Sequence, residues 1–341
     1  MRQLFFVRPG HIEWREVSEP RLEAPSDALV RPVALTTCDG DIVVLTGRLP
    51  LPGPFSIGHE FVAEVVDCGE QVTGFRRGQL VVVPVQISCG SCDRCRRGLT
   101  AFCRTVPQPA AFGLGPFSGN WPGVCADLAR IPFAHHMMVP VPDGIDPRTL
   151  ASAGDNIADA WRTVAPPLAE MPGAKVLVVG WGSIGLFAVA IAHALGAERV
   201  DYLDHDPRRL SMAEALGARA IEGSFSTRPG SYPITVDASF DPAGLACALR
   251  AVAPGGRCTS VAVYPGETPL PLLEMWQRAV HFHIGVANCR AHMPQVLELV
   301  RAGRIRPGLV TTEILDWEAA PAALAQPSMK PLFVRSPLAS A

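Results

Sequence analysis

Long apolar runs are missing from this chain. No stretch approaches the about 18–20 consecutive apolar residues of a membrane helix, and the opening MRQLFFVRPGHIEW has only four apolar residues in a row before Arg8 and Pro9. Neither a membrane span nor a secretory leader is expected, so the cytoplasm is the expected compartment. An excess of basic charge is also lacking. The 30 Lys and Arg residues stand against 32 Asp and Glu, for a net charge of −2, which argues against nucleic acid or an anionic membrane as partner. Lysine itself is nearly absent, with only Lys175 and Lys330, and no function is read from that. Internal repeats and low-complexity tracts are absent too, which excludes a solenoid. What remains is a well-buried globular chain, 48% hydrophobic and 18% charged, whose 341 residues exceed one ordinary core and predict about two domains.

Cysteine is not scarce. There are ten, and without an oxidising compartment they read as reduced thiols or metal ligands and not as disulfides. Four of them, Cys89, Cys92, Cys95 and Cys103, lie in CGSCDRCRRGLTAFC, close enough in sequence to close a tetrahedral shell around one structural Zn²⁺. Iron–sulfur ligation and free thiols are the rival readings; Arg94, Arg96, Arg97 and a second ligand set favour zinc. That second set starts with Cys38 and His59, a thiolate and an imidazole suited to a catalytic zinc. Asp41, three residues past Cys38, is placed to accept the other ring N–H of His59 and set its tautomer. Glu60 reads as an alternative ligand or an electrostatic neighbour.

Residues 1–150 hold short β-branched runs broken by Pro and Gly (ALVRPVAL, FVAEVVDCG, QLVVVPVQIS), the pattern of a barrel-like β domain. From 151 to about 287 strands and amphipathic helices alternate, predicting an α/β fold with a doubly wound parallel sheet. Residues 288–341 return to mixed short elements and complete the first domain. Inside the second domain VLVVGWGSIG places Gly180, Gly182 and Gly185 directly after an apolar strand and at the start of a helix, with Ser183 and Ile184 between. This is the context in which Gly-x-Gly-x-x-Gly lets a pyrophosphate approach the backbone and the helix N-terminus. Asp204 closes the next strand, RVDYLD, 24 residues after Gly180. A carboxylate there accepts from an adenosine ribose diol and repels a 2′-phosphate, favouring NAD. Asp204 also reads as a helix cap, a task Asp206 can take. His205, Arg208 and Arg209 leave room for NADP.

TTCDGD, GHE, the four-Cys lobe and VGWGSIG, in this order and spacing, resemble the zinc-containing medium-chain alcohol dehydrogenases over nearly the whole chain. ASAGDNIADAWRTV and GVCADLARIPFA are similar to the formaldehyde- and threonine-dehydrogenase-like branch. The resemblance implies a GroES-like β-barrel catalytic domain (1–150 and 288–341, with the zinc lobe at 89–103) and a Rossmann NAD-binding domain (151–287). It implies a third ligand to the catalytic zinc at Asp155, with Asp159 as fallback. Two zinc ions per subunit, an alcohol or carbonyl substrate, hydride transfer with NAD(H) and a homodimer or homotetramer follow from it as expectations. The family places a hydroxyl residue two positions after the ligand cysteine to relay the alcohol proton; this chain has Gly40. The alternatives are NADPH-dependent reduction of an activated C=C or C=N bond, and a catalytically idle zinc and nucleotide binder.

Some residues are expected to carry nothing. Cys68, Cys125, Cys247, Cys258 and Cys289 stand singly and read as small buried hydrophobes. His135 and His136 are adjacent in a strand-like linker, so their rings are expected to point apart. Phe112, Phe117 and Trp121 either line the substrate cleft or cover it, and His281 and His283 alternate on a strand that could meet a partner subunit.

Overall fold

The computed structural model describes residues 1–337. They form two compact units. The first joins Met1–Ala158, Asn288–Arg301 and the chain from Thr311 onward; the second joins Asp159–Ala287 and Ala302–Val310. The first division falls later than residue 150 because the 3₁₀ turn Pro147–Gly154 is bound to the first unit. Val85 N–H donates to the Gly154 carbonyl at 3.0 Å, and a Cβ on Gly154 would lie 2.2 Å from the Val83 carbonyl oxygen. Residues 302–310 go with the second unit, where Arg304 donates to the carbonyl of Ala194.

The first unit is built on a seven-stranded sheet and a three-stranded sheet. Its spine is the antiparallel pair Ala28–Thr36 and Glu60–Cys68, in register from Ala28↔Cys68 to Thr36↔Glu60. Val, Phe and Ala dominate both strands, and both are buried over most of their length, as expected of β-branched and aromatic residues packed on two faces. Leu4, Phe6, Phe61, Ile131 and Phe333 fill the core between the sheets. Two segments differ from the pattern read off the sequence. QLVVVPVQIS yields only the strand Leu80–Val82, since Pro84 has no N–H to continue a ladder. The linker around His135 and His136 is a single helical turn, Ala134–Met137, and not strand-like; His135 is exposed, whereas His136 is half-buried with its Nε2 3.0 Å from Ser88 Oγ.

The second unit is a six-stranded parallel sheet in the order Arg219–Glu222, Val200–Asp204, Val176–Val179, Tyr232–Asp237, Val252–Ser260, His281–Ile284. Strand order reverses between Val176–Val179 and Tyr232–Asp237, the switch point at whose carboxyl edge open α/β sheets bind ligands. The helix Ser183–Ala194 leaves that edge with apolar residues on every face and is buried nearly throughout.

Phe61 is fully buried and meets Phe112 edge-on, with ring centroids 6.4 Å apart. Phe61→Ala is expected to destabilise the first unit by about 3–5 kcal/mol, read as a lowered urea midpoint; an unchanged midpoint would show that this strand pair is not the spine of the unit.

Candidate active site and metal centres

The register of the spine places the first candidate site. Cys38 follows the strand ending at Thr36, and His59 precedes the strand beginning at Glu60, opposite it. Cys38 is the N-cap of the helix Asp39–Leu45: its Sγ accepts from Asp41 N–H at 3.2 Å, while Asp41 Oδ2 accepts from Cys38 N–H at 3.0 Å. This reciprocal pair is a capping box with sulfur in place of a hydroxyl. His59 is fully buried and reaches its place through Gly58, whose φ of +98° is left-handed and whose Cβ would sit 2.8 Å from Cys125 N; only glycine accommodates both. Asp155 stands between the 3₁₀ turn Pro147–Gly154 and the helix Asn156–Glu170. Its Oδ2 is 3.4 Å from His59 Nε2.

One ligand atom each from Cys38, His59 and Asp155 lies within 4.8 Å of the others. Both His59 ring nitrogens are buried and without a hydrogen-bond partner, an arrangement that is costly unless a further group satisfies them. Burial pushes the Cys38 thiol up to about 12, with Asp41 adding to the shift. Burial opposes charge on His59, yet Asp41, Cys38 and Asp155 together raise its pKa well above the usual value. Surroundings that hold a proton on buried imidazole attract a divalent cation for the same reason, and a cation would stabilise the thiolate. The donor set of sulfur, nitrogen and oxygen fits a three-ligand catalytic zinc.

The second cluster is complete by itself. The four sulfurs of Cys89, Cys92, Cys95 and Cys103 lie within 4.8 Å of one another. Cys89 Sγ accepts from Thr105 Oγ1 at 3.1 Å and from Cys92 N–H at 3.4 Å, while Cys89 N–H donates to Cys103 Sγ at 3.4 Å. Burial opposes the Cys89 thiolate, but the hydrogen bonds from Thr105 and Ser91 bring its pKa down to about 5. Donors preorganised around thiolates suit a closed structural zinc.

In the second unit the strand Val176–Val179 turns through Gly180 and Gly182 into the helix Ser183–Ala194, and Gly182 occupies the N-cap with no capping side chain. A Cβ on Gly180 would overlap the Tyr202 hydroxyl at 2.1 Å, and one on Gly185 would press on Ala238 and Val178 at 3.3 Å. The glycines therefore permit close packing of turn and helix on the sheet and leave the backbone bare where a pyrophosphate would approach.

The family pattern described as the alcohol dehydrogenase GroES-like domain matches residues 24–143, and that of the zinc-binding dehydrogenases matches residues 183–302. A probable zinc-binding alcohol dehydrogenase of Mycobacterium tuberculosis is 30% identical, over 94% of this chain and 84% of that protein. The chain belongs to the zinc-binding alcohol dehydrogenases. The solved alcohol dehydrogenase of Thermus sp. ATN1 shares 32% identity and a TM-score of 0.87, with 98% of this chain and 99% of that one covered. An L-threonine 3-dehydrogenase of Chelativorans sp. is 33% identical over 65% of this chain and 62% of that protein. The dehydrogenase is an oxidoreductase of the alcohol and carbonyl class.

Around these centres the structure corrects several residue roles. Asp41 Oδ1 is 3.8 Å from His59 Nδ1, too far for a hydrogen bond; its other oxygen is taken by the helix cap, so Asp41 positions Cys38 more than the imidazole. Glu60 is outside the group of donor atoms that converge, and both its oxygens are engaged. Its Oε2 accepts from Lys330 Nζ at 2.6 Å and its Oε1 from Asn156 N–H at 3.1 Å. Burial raises the Glu60 carboxyl, and Lys330 pulls it back. Asp159, the fallback ligand, pairs with Arg162. Cys289, given no role from the sequence, points its Sγ at Asp155 Oδ1, 3.6 Å away. Phe112 is buried against Phe61 and Trp121, so it covers the core, whereas Phe117 is exposed.

Asp204 also differs from expectation. It is fully buried and accepts from Arg209 Nε at 2.7 Å and Nη2 at 2.8 Å, from the N–H groups of His205 and Asp206 at 2.7 and 3.0 Å, and from Tyr202 OH at 3.0 Å. Against the cost of burial, Arg209 holds its carboxyl below the usual range. A ribose diol would have to displace these donors. Arg209 is correspondingly bound to Asp204, and Asp206 caps the helix Pro207–Ala215.

Lys330 is the functional neighbour that sequence reading passed over; its rarity was the signal. It is buried, and it donates to the Thr37 carbonyl at 2.6 Å as well as to Glu60. Lys330→Met leaves Glu60 buried and unpaired and is expected to cost about 3–5 kcal/mol, measured by chemical unfolding of the zinc-loaded protein. Wild-type stability in this variant would rule out the pair as a support of the site.

Proposed function

We propose that this dehydrogenase transfers hydride between NAD(H) and an alcohol or carbonyl at a zinc held by Cys38, His59 and Asp155, with a second, structural zinc held by Cys89, Cys92, Cys95 and Cys103. The observation that carries the reading is the buried Cys38, His59 and Asp155 cluster with both imidazole nitrogens unsatisfied. When bound, the zinc supplies Lewis acidity that makes an alcohol more acidic or a carbonyl more electrophilic, and the nicotinamide accepts or gives the hydride. The chain's residues do the positioning. The capping box aims the Cys38 sulfur, Gly58 admits the His59 ring, and Cys289 abuts the Asp155 carboxylate. Lys330 pairs with Glu60 and so occupies one of its carboxylate oxygens. Gly180, Gly182, Ser183, Ile184 and Gly185 form the proposed pyrophosphate cradle. With all ten cysteines free, a reducing cytoplasm is the proposed compartment.

Two observations favour the second reading, NADPH-dependent reduction of an activated C=C or C=N bond. Gly40 supplies no hydroxyl to relay an alcohol proton, and a Cβ there would crowd Cys38 Sγ at 3.2 Å. Arg209 neutralises Asp204, which weakens its repulsion of a 2′-phosphate. Metal analysis and fluorescence titration separate the readings. Two zinc ions per subunit, one in Cys38→Ala, and tighter binding of NADH than NADPH are expected. Equal zinc in both proteins would remove the catalytic site, and preference for NADPH would put the reductase first.

A homo-oligomer is proposed through the open edge strand His281–Ile284. Its unpaired backbone groups lie on a strand that ends in Ile284 and is flanked in the chain by Leu272, Leu273, Trp276 and Val286, all 49–79% exposed. Trp276→Glu is expected to lower the mass seen by light scattering towards that of one chain; an unaltered oligomer would place the interface elsewhere.

A further inference from the structure

Beyond the cofactor turn, the second unit carries a pocket of about 600 Å³ whose walls include Arg228, Arg250, Arg278, Thr227 and Ser231. Ser231 precedes the strand Tyr232–Asp237, and Arg250 and Ala251 precede the strand Val252–Ser260. Tyr232 and Val252 are paired at the start of these two parallel strands. The pocket thus flanks the amino edge of the sheet. Gly180 and the helix Ser183–Ala194 follow the strand Val176–Val179 at the carboxyl edge, where the cofactor is expected.

Two of the three guanidinium groups are held in place. Arg278 Nη1 donates to the carbonyls of Arg250 and Val252. Arg250 Nε donates to Glu274 Oε1 at 2.9 Å, and Arg278 Nη2 lies 3.9 Å from Glu274 Oε2. The hydrogen bond from Arg250 draws down the Glu274 carboxyl most, with Arg278 and then Arg228 adding to it, and among the described residues no carboxylate comes within ion-pair distance of Arg228 itself. Three cations, two of them anchored, against one carboxylate leave these walls net positive. Thr227 and Ser231 add hydroxyls; guanidinium forks match the paired oxygens of phosphate as they do those of a carboxylate, and a phosphate has further oxygens for the hydroxyls and for more than one arginine.

We propose that this pocket is a second anion site, which takes the phosphate group of a small phosphorylated metabolite or inorganic pyrophosphate, independently of the cofactor. The whole zinc-loaded chain is titrated calorimetrically with pyrophosphate, glycerol phosphate and a hexaglutamate peptide at matched ionic strength, with and without saturating NADH. Binding of pyrophosphate or glycerol phosphate is expected to persist under NADH, and to weaken at least tenfold in Arg228→Gln/Arg250→Gln and measurably in Arg228→Gln alone. Glycerol phosphate binding tighter than pyrophosphate would identify a phosphorylated metabolite as the ligand, and the reverse inorganic pyrophosphate. Since these arginines are largely exposed, both variants should retain the wild-type melting temperature and NADH affinity. Loss of binding under NADH would assign the anion to the glycine turn. Affinity unchanged in the double variant, no heat above the salt control, or hexaglutamate binding tighter than either phosphate compound would each overturn the proposal.

Discussion

The pairing of Ala28–Thr36 with Glu60–Cys68 is the constraint on which the catalytic half of this molecule depends. A shift of one residue in that ladder would turn every side chain of one strand to the opposite face, separating Cys38 from His59 and removing Glu60 from Lys330. The register is protected at the end next to the candidate site. Fully buried Phe61 and Leu35 face each other across the ladder, and Gly58 allows the chain to pass Cys125 at a distance no other residue tolerates.

Burial of charge is the second theme. Asp204 is met by Arg209, Asp27 by Arg130, Asp201 by Arg219 and Glu60 by Lys330, as the cost of desolvating a lone carboxylate requires. The Cys38, His59 and Asp155 cluster stands apart from these pairs. Its thiol resists ionisation and its imidazole nitrogens lack hydrogen bonds, so the protein alone leaves it unsatisfied. Under the proposed function a ligand completes the cluster, and its sulfur, nitrogen and oxygen donors fit zinc. The four-cysteine lobe is organised differently, with hydroxyl and backbone donors already stabilising its thiolates.

Local motifs were readable because their chemistry is short-range. The four-cysteine spacing, the glycine turn between strand and helix, and the switch from β-rich to alternating texture all involve residues within one or two elements of each other. Asp41 was read as a partner of His59 because spacing shows proximity and not which oxygen is already spent; the helix cap claims Oδ2. Asp204 was read as a ribose acceptor because its place at a strand end is visible, whereas the convergence of Tyr202, Arg209 and two backbone N–H groups on it is not. Lys330 lies 270 residues from Glu60, and no pattern in one sequence joins residues so far apart.

Residue type and periodicity by themselves indicated the four-cysteine set, the Cys38 and His59 pair, the glycine turn and the two-domain α/β architecture, while Asp155 came from the family resemblance. Only the tertiary structure decided which carboxylates remain available. It withdrew Glu60, Asp159 and Asp204 by pairing them with Lys330, Arg162 and Arg209, and it brought Cys289 to Asp155. The reason is that a buried carboxylate is claimed by whichever donors the fold carries to it, and those donors come from strands and helices distant in the chain.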